Sequence, residues 1–307
     1  VELIMLTAEQ KELRKTGIGG SDAAAIAGES RYKTPIDLYM QKLGIAEESN
    51  EESEAAYWGS VLEPVIAREF ELRQGKKLII EPNLLRHEKY PWMIANIDRF
   101  MPEENAVWEG KTCNQYKTSE WGEEFTDQMP NEYLLQCAHY GVVKNPSVVY
   151  VSVLIGGQNF KNYIYERNKE LEQNLIELEH DFWHNHYLKK IPPDANFYKE
   201  VSKLWCTGTD TTKTVSNELI NHYNSYIFCR NKIKELEEQQ DFDKAKLCEF
   251  LQDSSILIND KGLSIATWKN QKNSRLDIER LKETHPEIYK QLLKTTESRV
   301  FRIKEFK

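Results

Sequence analysis

A chain of 307 residues with net charge −8, 40% hydrophobic residues and seven tryptophans has room for one large domain or two ordinary ones, and the acidic balance argues against a protein that coats nucleic acid. It has no run of 18 apolar residues, so no membrane-spanning helix is expected, and its short apolar start followed by charges lacks the arrangement of a signal peptide. The cysteines at 113, 137, 206, 229 and 248 form no CxxC pair and no regular framework, which fits reduced thiols in a cytoplasmic protein.

Thr7 opens a helix that runs to about Lys15, and Gly17-Ile18-Gly19-Gly20 breaks it. Ser21 reads as the N-cap of a short helix, Asp22 to Ala27, closed by Gly28. A glycine-rich approach to a helix start suits an anion, and Arg14 lies within reach; an ordinary turn and cap explains the same residues. Thr34-Pro35 caps a further helix that Gly44 ends. An acidic loop holding Glu47, Glu48, Glu51, Glu52 and Glu54 follows. In residues 57–75, Leu62, Val65, Ile66 and Phe70 fall on one helical face; Pro64 marks a start or kink, and Glu63 stands beside it.

Leu78 to Leu85 and Trp92 to Asp98 read as strands leading to a hairpin. Its turn is Pro102-Glu103-Glu104-Asn105 and its second strand runs from Ala106 to Lys111. Alternation puts Glu109 and Lys111 on one face, with Trp108 and Gly110 on the other, and the hairpin can bring Asp98 beside Glu109. Two converging carboxylates repel unless a cation joins them, and a hard divalent ion bound by oxygens resolves that. Lys111 would then hold or deprotonate a water, or neutralise a phosphate. An exposed strand face accounts for the same triplet.

Pro130-Asn131 starts a helix, NEYLLQCAHYGVV, on which Gln136 and Tyr140 share a face. Val148 to Ile155 and Asn159 to Arg167 pair across a Gly156-Gly157 turn, and Lys169 to Tyr187 is an amphipathic helix. Its His180, His184 and His186 match no zinc spacing and read as surface or packing residues. A domain boundary is placed near residue 200, giving units 1–200 and 201–307. In the second, Val215 to Leu251 reads as a helical hairpin or short coiled coil, broken near Asp241-Phe242-Asp243. Ile256 to Ile258 and Leu263 to Trp268 flank the turn Asn259 to Gly262; Leu276 to Leu293 is helical except at His285-Pro286, and Arg299 to Ile303 is a last strand. From Lys261 onward twelve Lys and Arg face six Asp and Glu. Aromatics beside Lys269, Arg299 and Arg302 suit phosphate contact with base stacking. A solvated sheet face, or a docking surface for neighbouring subunits or a partner protein, are the other readings.

Six pieces stand in order: GIGGSDAAAIAG, YKTPIDLYMQKLG, WGSVLEPVIAREFE, IANIDRFM, VWEGKT and QCAHYG. Over residues 12–165 the chain thereby resembles the YqaJ-type viral recombinase family, relatives of the phage lambda exonuclease. The resemblance implies an α/β PD-(D/E)xK core, a mixed sheet flanked by helices, with the C-terminal helical hairpin and small antiparallel sheet added to it. It implies a Mg2+-dependent exonuclease, with Mn2+ able to substitute and two ions per site. That enzyme degrades one strand of linear duplex DNA from its 5′ end and hands the 3′ overhang to a single-strand annealing protein. It further implies a ring-shaped trimer in the cytoplasm of a bacterial cell, as a phage or prophage protein.

By the same resemblance Asp98 and Glu109 ligate metal, Glu63 is the acid from the preceding helix, the Gly110 carbonyl is a backbone ligand, and Lys111 is the motif lysine. Gln136 and Tyr140 form the Q-x-x-x-Y element and are grouped with Arg14 and Ser21 among the DNA and phosphate contacts, Arg14 and Ser21 meeting the terminal 5′ phosphate as well. Gly110 departs from the family's more usual apolar residue, which is expected to loosen local packing while keeping the carbonyl. An endonuclease of the same fold and a catalytically silent DNA-binding or recruitment module are the rival readings. An iron–sulfur relative needs four clustered cysteines, which Cys113, Cys137 and Cys206 do not supply.

Overall fold

The computed structural model describes residues 8–45 and 53–305; Thr7, Glu47, Glu48, Glu51 and Glu52 lie outside that range. The chain divides into two compact units, residues 1–204 and 205–307.

In the first unit, α1 (Ala8–Lys15) leads through the glycine turn to α2 (Gly20–Ile26) and α3 (Pro35–Lys42). Gly19, not Ser21, is the N-cap of α2: its N–H donates to Asp22 Oδ2 at 3.0 Å, and Ser21 already lies inside the helix. Thr34 caps α3 as its sequence demands, with Thr34 Oγ1 accepting from the Asp37 N–H and Pro35 at the first position. α4 (Glu54–Gln74) starts at the Ser53 cap, runs through Pro64 without ending, and stops at Gly75, whose φ of 64° favours glycine.

The strands before the hairpin are much shorter than their apolar runs suggest. Residues 78–85 keep only an isolated Ile79–Phe100 bridge and β1 (Leu85–Arg86), because Pro82 cannot donate to a ladder. Residues 92–98 keep an isolated Met93–Ile18 bridge and β2 (Ile94–Ala95), antiparallel to β1. β3 (Arg99–Met101) and β4 (Ala106–Cys113) form a hairpin over Pro102–Glu104, whose first strand lies after Asp98 and not at the expected residues 92–98. α5 (Asn131–Lys144) then crosses over to β5 (Val148–Ile155), and a Gly156-Gly157 turn leads to β6 (Asn159–Glu166).

The resulting sheet has the order β3-β4-β5-β6, with only β4 and β5 parallel. It is the mixed sheet that was expected. Its central strands are apolar on both faces, as a doubly covered sheet requires. Val107, Val149, Val151 and Val153 face α5 and, through Leu175, α6 (Lys169–Asp181). Trp108, Ala106 and Met101 face α4, where Ile66, Ala67 and Phe70 cover them. Phe182–Tyr187 continues α6 as a single π-helical turn, and α7 (Tyr198–Leu204) closes the unit.

The second unit departs further from expectation. Its main element, α8 (Asn217–Leu251), is one unbroken helix of 35 residues rather than a hairpin. Nothing between 217 and 251 is Gly or Pro, and Asp243 is held from inside the helix by Gln239 at i−4, so the acidic pair does not break it. β7 (Ile256–Ile258) and β8 (Ser264–Thr267) form the small antiparallel sheet, turning at Gly262. α9 (Ile278–Thr284) and α10 (Pro286–Leu292) part at His285. Residues 299–303 form no strand. Side chains hold them instead: the Tyr223 hydroxyl donates to the Lys304 carbonyl, Phe301 meets the Tyr226 ring edge-on, and Arg230 pairs with Glu305.

Candidate active site

The hairpin ends one residue before its chemistry begins. Arg99 is the last β3 residue paired with β4, opposite Trp108, so the next stretch of that β4 edge is left for a side chain. Asp98 fills the gap, its Oδ2 accepting from the Gly110 N–H at 2.9 Å. In an extended strand a residue's N–H and C=O point to the same side, so the Gly110 carbonyl opens toward the edge where Asp98 sits.

Glu109 and Lys111 share the α5 face of β4. Lys111 Nζ donates to Glu109 Oε1 at 2.6 Å and lies 5.1 Å from the centre of the Tyr133 ring. Gln136 reaches the same Oε1 at 2.8 Å, and its amide nitrogen is also 2.7 Å from the Tyr140 hydroxyl, which donates to the Asn96 carbonyl at 3.0 Å. Glu109 Oε2 is buried and has no hydrogen-bond partner among the described residues. A lone buried carboxylate oxygen is costly, and it is the kind of donor a hard cation takes up.

Glu63 comes from α4, on the opposite face. Its Cγ lies 3.4 Å from where a Cβ on residue 110 would stand, and its Oε1 is 2.7 Å from Arg99 Nη1. A side chain at 110 would also meet the Trp108 ring at 2.8 Å. The expectation that Gly110 loosens packing is therefore corrected. The indole fills that space, anchored through Nε1–H to Ser152 Oγ at 2.9 Å, and Ser152 in turn donates to Asn162.

Burial, then the charges of Glu109 and Glu63, pushes the Asp98 carboxyl well above the usual carboxylate range. Burial raises Glu63 too; Arg99 opposes that and Glu109 adds to it. Burial alone would lower Lys111, but attraction to Glu109 and Asp98 overcomes it and holds the ammonium group above its ordinary value. Three acids thus crowd two cations. Among the described residues no three His, Cys, Asp or Glu side chains stand ready to hold a metal ion. Glu63 is turned to Arg99 and Glu109 to Lys111, so binding an ion through all three acids would need at least Glu63 to leave its ion pair.

The remaining expected contacts fall in different places. Gln136 and Tyr140, grouped by sequence with the phosphate contacts, are instead buried and act on Glu109 and on the Asn96 backbone. Arg14 and Ser21 are both exposed, as an anion contact requires. The N–H of the N-cap Gly19 is taken by Asp22 Oδ2, which leaves one backbone donor fewer for an anion at the start of α2. Lys42 Nζ seals this turn from below, 2.7 Å from Asp22 Oδ2 and donating to the carbonyls of Arg14 and Gly17. His180 and His184 stack on each other at 4.1 Å and meet Trp92 edge-on.

In the second unit Arg299 donates to the carbonyls of Trp205 and Thr207, while Lys269 and Arg302 are exposed on irregular backbone rather than on strands. Sequence reasoning missed Arg99 and Tyr133. The cation directly after Asp98 was a usable signal for the first; nothing local marks Tyr133, which meets Lys111 only through the α5 crossing. Beyond Lys111 a cleft opens between Arg31, Tyr32, Trp58, Thr112, Lys117 and Tyr133.

The YqaJ-like viral recombinase domain profile matches residues 9–145. A protein of Bacillus subtilis (strain 168) named YqaJ is 34% identical over 299 residues, 95% of this chain and 92% of the relative. Among solved structures, an alkaline exonuclease from Laribacter hongkongensis (LHK-Exo) in complex with dAMP shares 16% identity at a TM-score of 0.47, covering 60% of this chain and 94% of its own. A putative exonuclease from Eubacterium rectale shares 13% at a TM-score of 0.47, covering 69% and 97%.

Proposed function

The chain belongs to the YqaJ-like viral recombinase family, and from that premise we propose that it is a divalent-metal-dependent exonuclease acting on linear duplex DNA. The observation that carries the reading is the buried, unpartnered Glu109 Oε2 beside Asp98 and Lys111, in a site with more acid than its own cations balance. Asp98, Glu109, the Gly110 carbonyl and Glu63 are the residues that would hold Mg2+, or Mn2+ in its place. When bound, such ions would polarise the phosphate and lower the pKa of a water molecule.

The chain's own residues do the rest. Glu109 and Asp98 favour the charged form of Lys111, and as a cation it would orient water and offset charge on the phosphate. Gln136 holds Glu109 through one oxygen and leaves the other free to face the ion. Arg99 pairs with Glu63, and an ion held by Glu63 would compete with that pair.

The polarity proposed is 5′→3′, leaving 3′ single strands for an annealing protein, in a cytoplasmic ring-shaped trimer. Support for the polarity comes from Arg14 and Ser21, two exposed side chains suited to a terminal 5′ phosphate. No helix among the described residues is long and apolar enough to cross a membrane. The test is digestion of linear duplexes labelled at either end, with and without a 5′ phosphate, beside a covalently closed circle. Release from the 5′ label, an intact circle, and an Arg14→Ala variant slowed more on phosphorylated than on hydroxyl ends are expected. A cut circle favours an endonuclease; no digestion in any metal favours a binding module.

A further inference from the structure

His139 is wholly buried in α5, and both its ring nitrogens are engaged. Nε2 lies 2.8 Å from the Ile94 carbonyl, and because a carbonyl only accepts, Nε2 carries a proton. Nδ1 lies 2.8 Å from Oε1 of Glu179 on α6, a side chain as fully buried as the ring. An apolar pair of the same volume would fill this space at no desolvation penalty. What the polar pair adds is a grip on backbone, and the backbone it grips leads directly to Asp98.

The run from Ile94 to Asp98 is held at alternate residues. His139 takes the carbonyl of residue 94 and the next residue of α5, Tyr140, takes that of residue 96. One turn earlier, Gln136 holds Glu109. A single helix therefore controls Asp98 through its backbone and Glu109 through its carboxylate. Glu179 ties that helix to α6, and the Ile94 N–H donates to the Ile18 carbonyl.

We propose that His139, oriented by Glu179, is a positioning residue for the acidic cluster: it sets the height of the 94–98 run on α5 and so the distance between Asp98 and Glu109. This rests on the reading of those two acids as metal ligands. Partners one step behind a ligand govern metal affinity even though they never touch the ion.

The experiment is calorimetric titration of Mn2+ into the full chain without DNA, with thermal melts to establish folding. Asp98→Ala should lose binding. His139→Phe, which keeps the volume and removes both hydrogen bonds, should bind about 10–100-fold more weakly, the range seen when such supporting partners are removed. Glu179→Gln should stay close to wild type, since its amide can donate to Nδ1 and leave the Nε2–H on Ile94. If His139→Phe does not melt cooperatively, Glu179→Leu carries the comparison, because it leaves the imidazole in place without its anchor, and weakened binding is again expected. Wild-type affinity in the disrupted variant beside a loss in Asp98→Ala overturns the positioning role. A loss in Glu179→Gln as large as in the disrupted variant overturns the orienting role of that hydrogen bond. Undiminished affinity in Asp98→Ala overturns the metal reading, and this proposal with it.

Discussion

Asp98 is half-buried beside two other acids, and desolvation with the charges of Glu109 and Glu63 raises its pKa. An aspartate whose folded-state pKa is raised binds its proton more tightly folded than unfolded. Its contribution to stability is therefore full below the ordinary value of 3.8 and is lost as pH rises toward the raised one. Asp98→Asn removes the ionisation and should raise the melting temperature of the metal-free chain at pH 8. The gain should be about 2–4 °C for each kcal/mol relieved, shrinking toward nothing at pH 4. Added Mg2+ should stabilise the parent and leave the variant unmoved. A variant no more stable than the parent at pH 8 would show that neighbouring cations already cancel the repulsion. The placement of Glu109 and Lys111 on one face was legible from the two-residue period of a strand. The placement of Gln136 was not: its hydrogen bond to Glu109 spans 27 residues of sequence, and a glutamine four residues from a tyrosine reads equally well as a surface pair.

α5 organises the site because another element comes unusually close to it. α2 crosses it at Gly20, where a Cβ would stand 2.6 Å from the Tyr140 ring and 3.2 Å from Gln136. The requirement is one of space, not of backbone conformation. Gly20→Ala should cost about 1–3 kcal/mol, as overpacking of a tight approach does, and should reduce nuclease activity by displacing the Tyr140 hydroxyl from the Asn96 carbonyl. Thermal melts and digestion of a labelled duplex check both parts, and an unchanged melting temperature would mean that α2 shifts freely. Elements with long runs were legible: α4 from its apolar face, β5 from Val148-Val149-Tyr150-Val151, and α3 from its Thr-Pro start. The two- and three-residue strands β1, β2 and β3 were not, because so few residues carry no period. In α8 a run of polar residues imitates a break; helix continuity depends on the absence of Gly and Pro, not on the presence of an apolar face.

At the scale of the whole molecule, the acidic cluster of Asp98, Glu109 and Glu63 lies in the first unit, and the second carries the basic end of an acidic chain. Of its three proposed DNA-binding side chains, Arg299 is engaged with the Trp205 and Thr207 carbonyls, so its removal would disturb the unit itself and confound a binding measurement. Lys269 and Arg302 are exposed, and Trp268, next to Lys269, is half exposed. The cleaner test is thus the double replacement Lys269→Gln with Arg302→Gln in the full chain. If these two side chains neutralise phosphates, duplex affinity should fall and the slope of log affinity against log salt should flatten by about 0.9 for each phosphate no longer neutralised. Turnover at saturating DNA should stay at the parent value, since neither residue belongs to the acidic cluster. Arg299→Gln alone should lower the melting temperature of the second unit, which the double variant should not do. An unaltered salt slope in a folded double variant would remove DNA binding from this unit's role. The exposed Leu219, Ile233, Leu236 and Phe250 of α8 would then direct attention to protein docking.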